Sequence, residues 1–449
     1  MLKIIKDILR KFGVDRAIFY TSSARIIMAI AGVITIFFVA RFLTDIEQGF
    51  YFTFGSVLAI QVFFELGFNG IITQYVAHEV SYLKWDSESK LIGSKPNLSR
   101  LSSILHFAVK WYLFASGFLA LILLVAGLLF FNRYDKSGGN VIWIIPWIIL
   151  TISTSIAFLI NPLLAFLEGL GKVRQVALIR LAQQATQAIM IWTIFVLKGK
   201  LYALGFGSII GLLVVVTIIF VSKYRVLLIY IWKALDKDIV SYKNEIFPYQ
   251  WKMALSAISG YFIFQLFNPV LFATEGAVVA GQMGMTLAVL GSISSLSFSW
   301  MTTKVPLYSG LIAQKQYFDL DRIFTKTLNQ SVLINGLELI VLFLLLYGLR
   351  YFDIPLGKRF LPYFPLILLM LSVFMNQFVF SWATYLRCHK QEPFLIPSVA
   401  GGILTCISTI VLGKYFGVLG MTTGYCILTF FGGLLWGFNI FKNKKKEWH

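Results

Sequence analysis

ILHFAVKWYLFASGFLALILLVAGLLFF, residues Ile104–Phe131, decides the architecture. Past Lys110 it runs to Phe131 without a charge. A hydrocarbon core about 30 Å thick takes roughly 20 helical residues to cross. Eleven stretches of similar length flank this one. Together the twelve read approximately 18–40, 49–70, 104–131, 141–165, 173–197, 201–222, 248–272, 277–301, 328–350, 362–385, 394–413 and 417–441. The 449 residues are 58% hydrophobic and only 13% charged, with a mean hydropathy of +0.80, far from the make-up of a soluble domain. The period-2 alternation of outer-membrane barrels is absent, so the spans are read as helices, which pair their backbone polar groups internally. The expected fold class is an all-α integral membrane protein of about twelve transmembrane helices.

The gaps between spans are short. The longest, about His78–Ser103 and Lys223–Phe247, could not bury a core of their own. The first apolar run is too long for a signal-peptide core and has no small-residue cleavage site, so it is expected to be a retained helix. Cys388, Cys406 and Cys426 form no CxxC, which points to apolar filler rather than a disulfide framework or metal site. The net charge of +19 could suggest a polyanion partner. Its distribution argues otherwise: with the N-terminus inside, 29 of the 39 cations fall in inside segments, nine fall outside, and Arg25 lies within the first span. That is the positive-inside pattern, and it places both termini in the cytoplasm. No nucleic-acid partner, cofactor or metal is expected.

The stretch KYRVLLIYIWKALDKDIVSYKNEIF (Lys223–Phe247) reads as a cytoplasmic amphipathic linker. It would join an N-terminal six-helix bundle over 1–222 to a C-terminal bundle over 248–449 with a short basic tail. Thr44-Asp45 before Gly49 is echoed by Thr274-Glu275 before Gly281. AFLEGLGK (Ala165–Lys172) is echoed by ATYLRCHK (Ala383–Lys390), and Leu204-Gly205 by Leu419-Gly420. The common order suggests parallel repeats related by a pseudo-twofold axis along the membrane normal, a common transporter plan.

A Walker loop GxxxxGK[ST] and a potassium-type filter are both missing. The outer gaps are too short for a sizeable catalytic loop. A secondary carrier or flippase remains, and it should hide polar groups inside its bundle. Arg25 shares a helical face with Thr21, Met28, Gly32 and Thr35. A mid-helix cation costs about 2.5–3.5 kcal/mol to insert, so it faces a wet cavity or a partner unless it snorkels to the headgroups. Lys252 stands near the start of the seventh span, with Ser256 and Ser259 on its face, and is an interfacial anchor or a second cavity cation. Glu65, with Gln61 and Asn69 one turn either side, and Glu338 deep in the ninth span are candidates for ion coupling or for structural pairing. Gln183, Gln184, Gln187, Gln265, Asn268, Gln282, Asn376 and Gln377 suit sugar hydroxyls and equally suit interhelical hydrogen bonding. The stripe Met285, Ala288, Ser292, Ser295 and Ser299 is read as close helix packing.

VARFLTDIEQGFYFTF (Val39–Phe54) resembles the junction of the first two helices in polysaccharide flippases of the multidrug/oligosaccharidyl-lipid/polysaccharide exporter superfamily. That junction typically reads ARxLGPxxYGxY; Ala40, Arg41, Leu43, Gly49 and Tyr51 match, while Thr44 replaces the usual Gly and Ile46 stands near the usual Pro. ELGFNGIITQYVAHE (Glu65–Glu79) and FLEGLGK (Phe166–Lys172) resemble the family's segments after the second and fourth helices. The resemblance implies twelve helices in two bundles around a V-shaped cavity. It also implies outward flipping of undecaprenyl-diphosphate-linked oligosaccharide, such as an O-antigen or capsule unit, across the bacterial inner membrane. Arg25 matches a first-helix arginine of some relatives; Lys252 enters only through the repeat. The expected substrate-binding residues are Arg25, Lys252, Gln61, Gln265 and Asn268. Glu65 or Glu338 is expected to couple transport to a proton or sodium ion. The prenyl tail is expected to stay among membrane lipids. A cation-coupled multidrug exporter of the same superfamily is the second reading, and a membrane glycosyltransferase or ligase the third.

Overall fold

The computed structural model describes residues 30–87, 90–389 and 391–448. Among these, seven continuous helices are long and apolar enough to cross a membrane: Lys95–Tyr134, Ile144–Gly169, Tyr202–Val221, Ala277–Ile312, Tyr317–Tyr351, Tyr363–Arg387 and Leu395–Trp448. Two broken pairs, Asp45–Glu65 with Phe68–Val80 and Gln250–Phe264 with Phe267–Thr274, raise the number to nine. Three further segments complete the expected set. Ile30–Phe42 is the described part of the first span. Val173–Val196 carries Arg174, Arg180 and four glutamines, which lower its hydropathy. Leu395–Trp448 is two spans, because Gly417 leaves the helix at φ 59°. The described part of each of the twelve apolar stretches therefore falls on a helix.

The ends differ from expectation. The second helix does not stop near residue 70. It breaks where Leu66 and Gly67 both turn left-handed, φ 50° and 68°, and resumes to Val80. The third begins at Lys95, and its 40 residues span roughly 60 Å at 1.5 Å per residue, more than a bilayer needs. The gap between them holds a two-stranded antiparallel hairpin, Leu83–Ser87 with Lys90–Gly93.

Contacts divide the chain into two compact units. One is Val57–Ile258; the other joins the residues up to Ser56 with those from Ser259 onward. The linker thus belongs wholly to the first unit, whereas the expected division into 1–222, 223–247 and 248–449 follows chain order.

Within Val57–Ile258, the hairpin docks through two contacts. Lys172, at the end of the FLEGLGK turn, places its ammonium 4.2 Å from the Trp85 ring centre, and the Tyr230 hydroxyl donates to the Leu91 carbonyl at 2.8 Å. The linker is α-helical over Lys223–Trp232, where Leu227 and Ile231 are buried and the His106 ring stacks on Trp232, and takes a π-helical turn over Tyr242–Ile246. Beyond it, the chain is held by hydroxyls of the third helix. Ser99 Oγ accepts from the Asp236 amide at 2.8 Å and Ser103 Oγ from the Val240 amide at 3.0 Å. Arg100 completes the attachment, donating to Glu245 at 2.6 Å and to buried Glu79 at 3.0 Å. Burial works to raise the Glu245 carboxyl. The Arg100 hydrogen bond, the Ser241 amide and the guanidinium charge outweigh it and hold the carboxyl below its ordinary value.

In the other unit, the Val39–Phe54 stretch opens its helix with a reciprocal box. The Thr44 amide donates to Glu47 Oε2 at 2.9 Å, and the Glu47 amide donates to Thr44 Oγ1 at 3.2 Å. Arg359 gathers the same turn, donating to the Leu43 carbonyl at 2.7 Å and to Gln48 Oε1 at 3.1 Å, and pairing with Asp45 at 2.9 Å. Gln48 Nε2 in turn donates to the Gly281 carbonyl at 2.9 Å. This approach requires a glycine at Gly49: a Cβ there would overlap the Ala277 carbonyl and sit 2.8 Å from its Cα.

Gly49→Ala should therefore destabilise the protein by about 1–3 kcal/mol, the usual size of an overpacking penalty. Gly55→Ala on the same helix, where a Cβ meets nothing within 4 Å, should not. Thermal unfolding in detergent followed by size exclusion separates the two. A second expectation concerns the linker. A carboxyl with a depressed folded pKa contributes stability that is present above its unfolded value, about 4.3, and lost as pH falls through the folded one. Amide exchange over residues 233–246 should accelerate in that acid range, and at neutral pH in Arg100→Ala.

Candidate substrate cavity

A cavity of about 700 Å³ lies inside the unit formed by the residues up to Ser56 and from Ser259 onward. Its size falls in the usual range for small-molecule sites. Four local features of sequence build it. The first wall is Phe52, Gly55 and Ser56, two turns beyond the Thr44 box. The second is the break at Gln265-Leu266, where the helix ending at Phe264 gives way to Phe267–Thr274. The third is the small-residue face of Ala277–Thr302: Gly284, Ala288, Gly291 and Ser295. Asn376 and Phe380 from Tyr363–Arg387, with Tyr425, close the fourth.

The polar groups on these walls are neutral. Asn268, nearly buried, donates from Nδ2 to Ser56 Oγ at 3.0 Å, and its Oδ1 has no partner among the described residues. Asn376 Nδ2 donates to the Tyr425 hydroxyl at 3.0 Å. Aromatic rings fill the remainder: Phe380 stands edge-on to both Phe264 and Phe298, at 6.3 and 6.0 Å, and Phe267 to Tyr425 at 5.2 Å. Among the described residues, none that lines the cavity is charged. The stripe read from sequence as packing thus also supplies a cavity wall, through Ala288 and Ser295, while Ser292 Oγ would lie 3.4 Å from a Cβ on Gly32 of the first helix.

A second polar cluster in the same unit lies among three helices, with Ser297, Ser331, Asn335 and Gln377 buried and Glu338 half-buried. Ser297 Oγ, on Ala277–Thr302, lies 2.7 Å from Glu338 Oε2 and accepts from Asn335 Nδ2 at 3.0 Å. Ser331 Oγ donates to the Ser297 carbonyl at 2.8 Å, and Gln377 Nε2 donates to Ser331 Oγ. Ser331, Asn335 and Glu338 share one face of Tyr317–Tyr351.

Of the residues singled out from sequence, Gln265 and Asn268 come together in the cavity and Glu338 lies in the second cluster. Gln61, Glu65 and Lys252 belong to the other unit. There Glu65 accepts from Asn69 Nδ2 at 2.8 Å, and the buried Tyr112 hydroxyl donates to Asn69 Oδ1 at 3.0 Å, so the carboxylate has a structural partner. Gln61 is half-buried at the short 3-10 turn Ala59–Gln61. Lys252 is exposed, beside the ring of its neighbour Trp251. Arg25 lies outside the described residues. Tyr425 and Asn335 were not singled out from sequence. The helical spacing of Ser331, Asn335 and Glu338 carried the signal for the second; nothing local marked Tyr425.

No family model and no curated protein sequence matches the chain. Solved structures do. An inward-facing multidrug resistance MATE family transporter of the MOP superfamily matches with TM-score 0.57 at 14% identity, covering 93% of this chain and 99% of that one. The MATE multidrug transporter DinF-BH matches at 0.59 and 12%, covering 97% of each. The lipid II flippase MurJ in an inward closed conformation matches at 0.53 and 16%, covering 94% of this chain and 87% of that one. What is shared at such identities is the fold, along nearly the whole chain.

Gly291 tests the cavity directly. A Cβ there meets nothing within 4 Å, so a larger side chain fills space without collision. Gly291→Leu should leave thermal stability in detergent unchanged or raise it by up to about 1 kcal/mol through helix propensity, while reducing the open volume of the cavity. Gly284→Leu, which meets Phe52, should lose stability instead.

Proposed function

We propose that the chain is a flippase that carries a polyprenyl-diphosphate-linked oligosaccharide, an O-antigen, capsule or similar surface-glycan unit, outward across the bacterial inner membrane. The observation that carries this reading is the chemistry of the cavity. Amides and hydroxyls of Ser56, Gln265, Asn268, Ser295 and Asn376 provide neutral donors and acceptors. Phenylalanine rings provide flat apolar faces beside them. Sugars present the matching alternation of hydroxyls and C–H faces. A pump for cationic drugs would want a carboxylate among the aromatic walls, and among the described residues the cavity lining has none.

On this reading the sugars occupy the cavity and the diphosphate pairs with Arg25 and Lys252 through charge-assisted hydrogen bonds. The prenyl tail stays in lipid. The six-helix halves, 1–222 and 248–449, rock about the linker to alternate access, with both termini in the cytoplasm. The protein acts as a transporter and not as an enzyme, with proton or sodium coupling through Glu338 or Glu65.

Deleting the chain should abolish the surface glycan and leave undecaprenyl-linked repeat units on the cytoplasmic side, with drug tolerance unchanged. Lowered drug tolerance with intact glycan would establish the multidrug exporter instead. Undecaprenyl-linked units that still reach the outer face but remain unpolymerised or unattached would point to a transferase or ligase. Arg25→Ala should match the deletion while inserting at normal level. Arg25→Lys should restore export partly, because the charge remains but the bidentate fork is lost. Full export by Arg25→Ala would remove Arg25 from the diphosphate site.

A further inference from the structure

The helices Ile144–Gly169 and Val173–Val196, both within Val57–Ile258, each expose two unlike sides. On Val173–Val196, Leu178, Ile189 and Val196 are exposed along one side, the chemistry of a lipid-facing surface. Arg180 and Gln187 stand two positions from Leu178 and Ile189, which turns them about 160° away at 3.6 residues per turn. That opposite side is open as well: Arg180 and Gln184 are exposed, and Gln183 and Gln187 are half-buried. Beyond Gln187 the same side is closed by buried Ile191 and Ile194. Ile144–Gly169 repeats the arrangement. Ile145, Ile152 and Ile156 are exposed on one side, and half-buried Thr154 and Asn161 lie on the other. Arg180 Nη2 lies 3.4 Å from Glu168 Oε2 and joins the two polar sides.

Lipid does not account for these polar sides. Gln187 lies about 21 Å along its helix from Val173, a depth from which a short neutral amide cannot snorkel to the headgroups. Interhelical pairing does not account for them either. Among the described residues, the side-chain amides of Asn161, Gln183, Gln184 and Gln187 make no hydrogen bond. Free amides beside a guanidinium inside a membrane span call for water or a polar ligand.

We propose that Asn161, Glu168, Arg180, Gln183, Gln184 and Gln187 form a binding face for uncharged sugars of the substrate, separate from the cavity at Asn268. The choice of sugars rests on the flippase reading above. Each amide offers two donors and an acceptor, and a sugar hydroxyl uses both kinds. Arg180 and Glu168 balance one another, so these six residues carry no net charge for an acidic sugar to pair with. None of the six is aromatic, so they offer a cationic drug no ring. The face is open towards Lys172 and shut beyond Gln187. On the proposed topology its open end is cytoplasmic, the side from which the substrate enters.

The test uses the full chain in lipid nanodiscs and has two arms. The first asks whether the face is wet and needs no substrate. With Cys388, Cys406 and Cys426 changed to alanine, Gln184→Cys should react with a charged maleimide that stays out of lipid, and Ile189→Cys should not. A Gln184→Cys variant as unreactive as Ile189→Cys overturns the proposal. The second arm measures binding of the undecaprenyl-linked repeat unit extracted from the host membrane, beside undecaprenyl diphosphate without sugars. The double change Gln184→Leu/Gln187→Leu should weaken binding of the glycosylated lipid about tenfold, the size expected of two lost hydrogen bonds, and leave the bare diphosphate unchanged. The thermal midpoint should not fall, because neither amide holds a partner. Undiminished binding of the glycosylated lipid removes the face and leaves the flippase. An equal loss for both lipids also removes it, since the two glutamines would then act on the diphosphate or on the fold. An unmodified protein that binds neither lipid overturns the flippase reading itself, and the ligand named here with it.

Discussion

Everything in this molecule follows from the absence of water in the hydrocarbon core. A backbone amide or carbonyl there must find its partner inside its own helix, and a polar side chain must find one on a neighbouring helix. The first demand makes the chain a set of helices. The second decides where those helices touch. Asn268 reaches Ser56, Asn376 reaches Tyr425, and Asn335 reaches Ser297, each across a helix–helix contact. Glycine sets the distance: Gly49 lies against the Ala277 backbone, and Gly284 against Phe52. Polar pairing thus gives the contacts their specificity and small residues give them their closeness.

The same demand shapes the cavity. A helix that broke in lipid would expose amides, so breaks occur where other protein segments cover them. The interruption at Gln265-Leu266 is one, and the cavity lies beside it. The left-handed pair Leu66-Gly67 is another, with a Cβ on Gly67 lying 3.1 Å from the side chain of Met253. Gly417 is a third. There the Glu275 carboxylate accepts from the Val418 amide at 2.7 Å and caps the start of the last span. The cavity's neutral lining is consistent with this economy of polar groups, since amides and hydroxyls can be half-satisfied by protein and completed by a bound ligand.

The spans were legible because twenty apolar residues in a row have few other meanings. Gln265 and Asn268 were legible as a pair because polar residues three apart on an apolar helix share a face. What lay out of reach was set by contacts between segments distant in sequence. The hairpin Leu83–Ser87/Lys90–Gly93 contains few strand-forming cues, and it is fixed by Lys172 and Tyr230 from far along the chain. Glu65 read equally as an ion-coupling or a structural carboxylate; Asn69, itself held by the Tyr112 hydroxyl, donates to it. The linker's helical periodicity continues past Trp232, but hydroxyls of Ser99 and Ser103 capture its amides and end the helix early. Tyr425 was invisible because its position beside Asn376 depends on how the last span meets the tenth.

The reciprocal box at Thr44 and Glu47 bears on how this sequence can drift. A glycine in place of Thr44 would offer no hydroxyl for the Glu47 amide, yet its own amide would still donate to the Glu47 carboxylate. The two halves of the box are therefore separable: losing the threonine removes one hydrogen bond and leaves the glutamate its backbone partner, and losing the glutamate removes the other. Drift at this turn can therefore proceed one residue at a time.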